Sequence, residues 1–367
     1  MGAPENALDL LRKEINQVDN EVLRLINDRA KLAQRVGDVK GRAGASFYVP
    51  SREREIVDRL QAENPGPFPK AAVRPVFQEI ISACLSLEQG LQVSYLGPET
   101  TFTHQALRRH FGTSAKALPC GSIASVFSEV SRGLSEFGVV PVENSTEGVV
   151  NHTLDSFVES ELTICAEVVV DIQHHLLGRD ALELSDVTKV YSHPQALAQC
   201  REWLAEYLPD TALVATSSTA EAARQALGDP GSAAIASELA ARHYRMQILR
   251  ESVQDLSDNV TRFFVIGRPG AVLPGAKSQS EYRTSLLLAL PDESGWLMRV
   301  LEPLSKAGVN LTKIESRPSR KKKWAYVFFL DVDGHAEIEP VASVLKDVAS
   351  QCDMFRVLGS YRKADTV

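Results

Sequence analysis

A chain of 367 residues exceeds one ordinary domain and predicts two or three. With 44% hydrophobic and 24% charged residues it is not a wholly disordered chain, and a net charge of −7 excludes a general nucleic-acid coat, so any anionic ligand needs a local cationic patch. Five scattered cysteines (Cys84, Cys120, Cys165, Cys200 and Cys352), none in a Cys-x-x-Cys pair, argue against a zinc or disulfide framework and for reduced thiols in a cytoplasmic protein.

The opening Met1-Gly2-Ala3-Pro4-Glu5-Asn6 lacks the basic start and apolar core of a secretory signal, and Asn6 stands where a myristoylation site needs Ser or Thr. No apolar run approaches the ~18 residues of a membrane-spanning helix. Residues 1–90 then read as all helix. Leu8, Leu11, Ile15, Val18, Val22, Leu25, Arg29, Leu32, Val36 and Val39 keep a strict 3,4 spacing, the seam of a long coiled-coil-like helix ending near Gly41 and Gly44. A second helix runs from about Ser51 to Asn64 and a third to about Gln89, with Val73, Phe77, Ile80, Cys84 and Leu87 on one face and Pro75 starting or kinking it. Three helices with one this long cannot bury their apolar stripes alone, which predicts at least a homodimer.

Arg29 is the anomaly of the seam, because a buried guanidinium without an anion costs several kcal/mol. Either a protein carboxylate meets it or a ligand does. Lys40 returns to nearly the same face about 16 Å further along, and Glu53 and Glu88 on the other helices could supply acceptors. Several words here, Leu11-Arg12-Lys13-Glu14-Ile15, Asp28-Arg29, Val36-Gly37-Asp38-Val39-Lys40, Arg52-Glu53-Arg54-Glu55 and Phe77-Gln78-Glu79-Ile80-Ile81, resemble the all-helical chorismate mutase family over nearly all of residues 5–90. The resemblance implies that Arg12, reaching across from a partner chain, and Arg29 bind substrate carboxylates, that Lys40 binds the ether oxygen, and that Glu53 takes the ring hydroxyl. Val49, Cys84 and Glu88 depart from the family pattern. Glu88 facing an ether oxygen helps only when protonated and able to donate.

Residues 91–267 alternate short apolar strands with helical patterns, which predicts a two-lobed α/β architecture with mostly parallel strands and a cleft. No Gly-x-Gly-x-x-Gly and no Walker loop occurs, so no nucleotide cofactor is expected. Small polar clusters follow the strands at 97–103, 143–148, 192–195 and 217–219. Each is either a helix N-cap or part of a cleft for a small polyanion. Three words, Val140-Pro141-Val142-Glu143-Asn144-Ser145, Tyr191-Ser192-His193-Pro194-Gln195 and Asn259-Val260-Thr261-Arg262-Phe263, are similar to the prephenate dehydratase family over about 91–267. That resemblance implies a periplasmic-binding-protein-like fold, with Thr261 tied to activity and Asn144, Ser145, Ser192, His193, Gln195, Arg262 and Phe263 against the substrate. Thr100 stands where the family usually has glycine, which matters only if that loop needs positive φ. The eight histidines form no metal-ligand pattern; His174 and His175 are expected to be structural.

Residues 268–281 read as a linker, and 282–363 run strand, helix, strand, strand, helix, strand, the order of a ferredoxin-like domain. The unit resembles the ACT amino-acid-binding family through Glu315-Ser316-Arg317-Pro318, and Gly295 and Leu297 fall on a second family motif interrupted by Trp296. It implies phenylalanine binding between paired domains and feedback inhibition. An RNA-recognition module shares the order, but the glycine its aromatic strand needs is absent after Lys323, and Arg320-Lys321-Lys322-Lys323 suits a solvated turn. The three resemblances together predict a bifunctional mutase and dehydratase that needs no cofactor, metal, nucleic acid or membrane. The alternatives are a dehydratase with an impaired mutase half, or a non-catalytic amino-acid sensor.

Overall fold

The computed structural model describes residues 3–43, 50–88, 90–270, 279–319 and 326–364. Val49, Gln89, most of the linker and the basic run from Arg320 to Lys323 lie outside the described residues, as do the side chains of Lys40 and Glu88. The chain divides into two compact units, Met1–Leu91 with Phe111–Lys116, and Gln92–His110 with Ala117–Val367.

The first unit is built on α1 (Ala3–Ala43), α2 (Pro50–Glu63) and α3 (Lys70–Glu88). α3 packs on both other helices and buries Val73, Ile81 and Cys84 together with Val57 of α2. Pro75 lies inside α3, which starts at Lys70, so it does not begin the helix. Leu87, expected on the buried face, is 52% exposed. The turn before α3 is closed by Asn64, whose side chain donates to Phe68 O at 2.8 Å and accepts from Gly66 N at 3.1 Å. The α1 seam behaves differently. Its nine aliphatic members, Leu8 through Val39, are each between 48 and 66% exposed.

Among the described residues the second unit contains three sheets. Its first region comprises β1 (Gln92–Leu96), α4 (Phe102–Phe111), β2 (Lys116–Cys120), α5 (Ile123–Ser131), β3 (Phe137–Asn144), β4 (Gly148–Val149), α6 (Asn151–Glu159) and β5 (Thr163–Asp171). The chain then forms a second lobe from β6 (His175–Gly178), β7 (Lys189–Ser192), α7 (Pro194–Gln199), α8 (Arg201–Tyr207), β8 (Ala212–Ala215), α9 (Thr219–Gly228), β9 (Ser232–Ala236), α10 (Glu238–Tyr244) and β10 (Gln247–Arg250). β11 (Val260–Gly267) returns to the first sheet, giving the order β2-β1-β3-β11-β5; the second sheet runs β10-β6-β9-β7-β8.

The strands are mixed rather than mostly parallel. β1–β3, β7–β8 and β7–β9 pair in parallel, whereas β11 opposes both β3 and β5, and β6 opposes both β9 and β10. The reason is the excursion into the second lobe. The chain leaves the first sheet at the end of β5 and re-enters there as β11, so β11 must run against its neighbours.

The third region is β12 (Tyr282–Ala289), α11 (Trp296–Lys306), β13 (Leu311–Pro318), β14 (Tyr326–Asp333), α12 (Val341–Ala349) and β15 (Met354–Arg362), an antiparallel βαββαβ sheet of order β13-β14-β12-β15. Both faces of this sheet are covered, so β12 reads as a continuous apolar run rather than an alternating one. Leu286 and Leu288 pack with Val300, Leu304 and Leu345 of its own helices, while Leu287, Val327, Phe329 and Tyr361 share a core with Phe157 of α6 and with Phe264 and Ile266 of the first sheet. Approach is close enough that a Cβ at Gly359 would collide with the Ile164 carbonyl.

Candidate functional site

β3 and β11 are neighbours in register, with Thr261 opposite Asn144. Both side chains are buried. Asn144 Nδ2 donates to Thr261 Oγ1 at 2.8 Å and to Asn259 Oδ1 at 2.8 Å, and Asn144 Oδ1 accepts from the backbone N–H groups of Thr146 and Glu147 at 2.9 Å each. The amide is therefore oriented by the turn that follows β3. Asn259 Nδ2 passes the chain on to Gln199 Oε1 at 3.1 Å, which also faces His174 Nε2 at 3.0 Å; Gln199 Nε2 lies 3.4 Å from Glu147 Oε1. Since Gln199 Oε1 can only accept, His174 carries its proton on Nε2. Burial, partly offset by the Gln199 hydrogen bond, lowers the His174 pKa and keeps the ring neutral. The consequence for Thr261 is directional. One lone pair of its oxygen is occupied by an N–H, and its own O–H is left to donate.

The network brings together Thr261 and Asn144, both singled out in the sequence, with Asn259, Gln199 and His174, which were not. Gln199 lies four residues beyond Gln195 on one helix, a spacing that places both on one side. His174, expected to be structural, joins the network.

Other expected residues lie elsewhere. Successive side chains in a strand point to opposite faces, so Arg262 turns away from Thr261: its Nε donates to Glu167 of the neighbouring β5, and its Nη1 and Nη2 to Asp331 and Tyr361 Oη of the third sheet, at 2.7, 2.7 and 2.9 Å. Burial opposes its charge, but the Tyr361 oxygen and the Asp331 and Glu167 carboxylates override that and raise its pKa. Phe263 is 1% exposed and belongs to the core. Ser192 is fully buried with its hydroxyl on Ile235 O at 2.7 Å. These three placements depart from the expected substrate contacts. Ser145 pins the strand ends together, donating to Asp258 O and accepting from Val260 N. His193 caps α7 by accepting from Gln195 N at 3.3 Å, and the Gln195 side chain is exposed. Of the polar clusters, Ser217-Ser218-Thr219 is a helix cap, with Ser218 accepting from Glu221 N.

A small polar pocket of about 120 Å³ lies where the two lobes meet, lined by Gln105, Arg109, Asp171, Gln173, His175, Ser237 and Glu238. Asp171 is the ladder partner of Val260, one residue from Thr261. The loop leading into α4 does need positive φ: Thr100 sits at φ 68°, a conformation costing a β-branched residue about 1–2 kcal/mol. It is held by its backbone N–H on His104 Nδ1 at 3.0 Å, while Arg108 Nε faces His104 Nε2 at 3.1 Å.

Burial, with Arg108 second, pushes the His104 pKa from 6.5 down to about 4. A folded-state pKa below the unfolded one means stability that is complete above pH 6.5 and lost as pH falls through 4. We expect His104 to account for about 3 kcal/mol of acid sensitivity over that window. Denaturant unfolding of wild type and His104→Gln across the same pH range measures it, the variant giving the flatter curve.

In the first unit, Arg12 is exposed and pairs with Asp9 at 3.2 Å. Arg29 is half-buried and makes no hydrogen bond or ion pair among the described residues, so no carboxylate among them neutralises it. Glu53 is half-buried and Cys84 buried. In the third region, Gly295 caps α11 at φ 78°, a conformation that favours glycine, and Leu297 is 37% exposed. Along β13, Glu315 and Arg317 turn inward while Ser316 and Pro318 are exposed; Arg317 grips Asp155 at 3.1 and 3.2 Å. Trp296 packs against the domain core and donates its indole N–H to Gln351 O at 2.6 Å.

Three stretches of the chain match known families. Residues 11–89 match the chorismate mutase type II family, 93–271 the prephenate dehydratase family and 284–350 the ACT domain family. A bifunctional chorismate mutase/prephenate dehydratase of Aquifex aeolicus is 49% identical over 359 residues, covering 96% of this chain and 97% of the relative. A prephenate dehydratase from Arthrobacter aurescens, solved in complex with L-Phe, is 38% identical with a TM-score of 0.70, covering 75% of this chain and 91% of that one. A chain described as a novel type of quorum quenching acylase is 30% identical with a TM-score of 0.69 over 75% of this chain and 98% of its own, so the fold by itself does not fix the chemistry.

Proposed function

The chain belongs to the family of bifunctional chorismate mutase/prephenate dehydratases, and on that premise we propose how its residues carry the two consecutive reactions toward L-phenylalanine. Regions 1–90, 91–267 and 282–363 hold the mutase, the dehydratase and the regulatory sensor, with 268–281 as linker. The first step, chorismate to prephenate, is an intramolecular rearrangement without proton transfer or covalent intermediate. It needs compression of the substrate and positive charge where the breaking C–O bond gathers electrons. Arg29 and Arg12 of a partner chain hold the carboxylates, Lys40 the ether oxygen and Glu53 the hydroxyl, while a protonated Glu88 donates to the ether.

In the second step prephenate loses its ring hydroxyl and its ring carboxylate together. Electrons of the breaking C–C bond enter the ring as carbon dioxide departs, and the C–O bond breaks to give aromatic phenylpyruvate. The protein's task is to stabilise the departing oxygen. The observation that carries this reading is Asn144 Nδ2 donating to Thr261 Oγ1 at 2.8 Å, which directs the Thr261 proton outward as a hydrogen-bond donor. Arg109, at the rim of the adjoining pocket, is the cation suited to a substrate carboxylate. Phenylalanine is held by Gly295, Leu297, Glu315, Ser316 and Pro318 of paired sensor domains, with Arg317 anchoring β13 to Asp155.

We assign the active protein to the cytoplasm and to a homo-oligomer of at least two chains. Among the described residues no helix is long and apolar enough to cross a membrane. The exposed α1 seam supports a dimer, because burying each Leu, Ile or Val contributes about 1.5 kcal/mol or more. Replacing Val18 and Val22 together by Glu is expected to halve the sedimenting mass or disperse it. Mutase turnover should then fall about a hundredfold as the partner's Arg12 is lost, with conversion of added prephenate retained. Supplying chorismate, following its loss and phenylpyruvate formation, and then adding phenylalanine tests the whole assignment. A non-catalytic sensor would bind prephenate and form no phenylpyruvate. A chain with an impaired mutase half would convert prephenate but leave chorismate untouched.

A further inference from the structure

Each of the two polar residues at the centre of the dehydratase site has a charged neighbour on the opposite face of the sheet. Asn144 follows Glu143 on β3 and Thr261 precedes Arg262 on β11, and the two pairs face each other across the ladder. Both charged neighbours are gripped by the third region. Arg262 binds Asp331 of β14 at 2.7 Å and Tyr361 of β15 at 2.9 Å, and its Nε shares Glu167 with Arg283 of β12, at 2.7 Å each. Glu143 lies 2.8 Å from Lys313 Nζ of β13 and 3.8 Å from Arg262. Ser285 fixes Asp331 and Tyr361 in turn, and Glu167, Asp331 and Tyr361 are all buried. A buried ionic group of this kind resists loss of any member, because the remaining charge is left uncompensated. Displacement of the third sheet must therefore drag the ends of β3 and β11 with it or break the cluster.

We infer that Arg262 and Glu143 are positioning residues of the dehydratase reaction: they form an ionic clamp through which the C-terminal domain sets the placement of Thr261 and Asn144. An effector held by that domain changes turnover through the same clamp. This rests on Thr261 and Asn144 being the dehydratase site.

Three full-length variants test it: Lys313→Gln and Asp331→Asn in the clamp, and Arg356→Gln, which removes a cation that meets Phe157 O and Glu161 in the same domain contact but touches neither β3 nor β11. Clamp variants are expected to lower kcat for prephenate about ten- to a hundredfold, the effect of sub-ångström misplacement, with KM within about twofold. Their response to phenylalanine weakens, mutase turnover is unchanged, and Arg356→Gln behaves as wild type. Without substrate, backbone hydrogen exchange over 141–147 and 259–264 should quicken about threefold or more in the clamp variants only. Should Asp331→Asn fail to fold, Lys313→Gln decides. A raised KM at constant kcat, or equal losses in all three variants, overturns the clamp. If wild type itself makes no phenylpyruvate, the dehydratase assignment fails, and exchange rates unaltered by Lys313→Gln then overturn the clamp independently.

Discussion

Thr261→Val should reduce phenylpyruvate formation from prephenate by about 10²- to 10⁴-fold, the contribution of a positioned proton donor, while chorismate consumption continues at the wild-type rate. Valine keeps the branched shape and the buried volume at a site only 8% exposed. What it removes is the oxygen between Asn144 and the substrate. The Asn144 N–H then loses one acceptor, yet its second hydrogen bond, to Asn259 Oδ1 at 2.8 Å, survives and should hold the amide in place. KM should therefore change little and kcat should carry the loss. Accumulation of prephenate from chorismate, followed by chromatography, checks both halves at once. Dehydratase activity within tenfold of wild type would remove Thr261 from the reaction.

Arg29→Met is the complementary case. Loss of a fixed cation that holds a substrate carboxylate in the reactive geometry lowers mutase turnover about 10²- to 10³-fold, and supplied prephenate should still be dehydrated normally. The stability result is as informative as the kinetic one. Arg29 has no partner among the described residues, so its replacement by an apolar side chain of similar length should leave the melting temperature unchanged or raise it. A structural arginine would behave in the opposite way, because removing one member of a buried pair is destabilising by about 3–5 kcal/mol. Thermal unfolding and chorismate turnover on the same preparation separate the two roles.

The three-region architecture was legible because each region carries its own periodicity: 3,4 spacing along α1, strands alternating with helices after Gln92, and βαββαβ beyond the linker. Short polar strands were not. β2 contains Pro119 and has no buried position, and β10 is exposed at both ends, so neither has the apolar run that signals a strand. Thr261 and Asn144 of the candidate site were singled out by their motifs, but a motif does not say which way each residue points. Arg262 was misplaced for that reason. Period-two alternation beside Thr261 was the available signal, and the acids that claim Arg262 come partly from residue 331, far along the chain. Ser192 looked like a ligand-binding hydroxyl, yet four wholly buried residues of β9, Ala233–Ala236, lie beside its strand and close it off. Gln199 and His174 meet only because the second lobe folds back, a long-range fact that no local pattern encodes.

The apolar core joining Leu287, Val327, Phe329 and Tyr361 to Phe157, Phe264 and Ile266 has a consequence for dissection of the enzyme. Sensor and catalyst are not separable beads on a string. A truncation after the linker would expose an oily underside and strand a guanidinium in it, so the shortened chain should aggregate rather than survive as an unregulated catalyst. Desensitised enzyme for engineering is better sought by point changes on the outward row of β13 than with scissors.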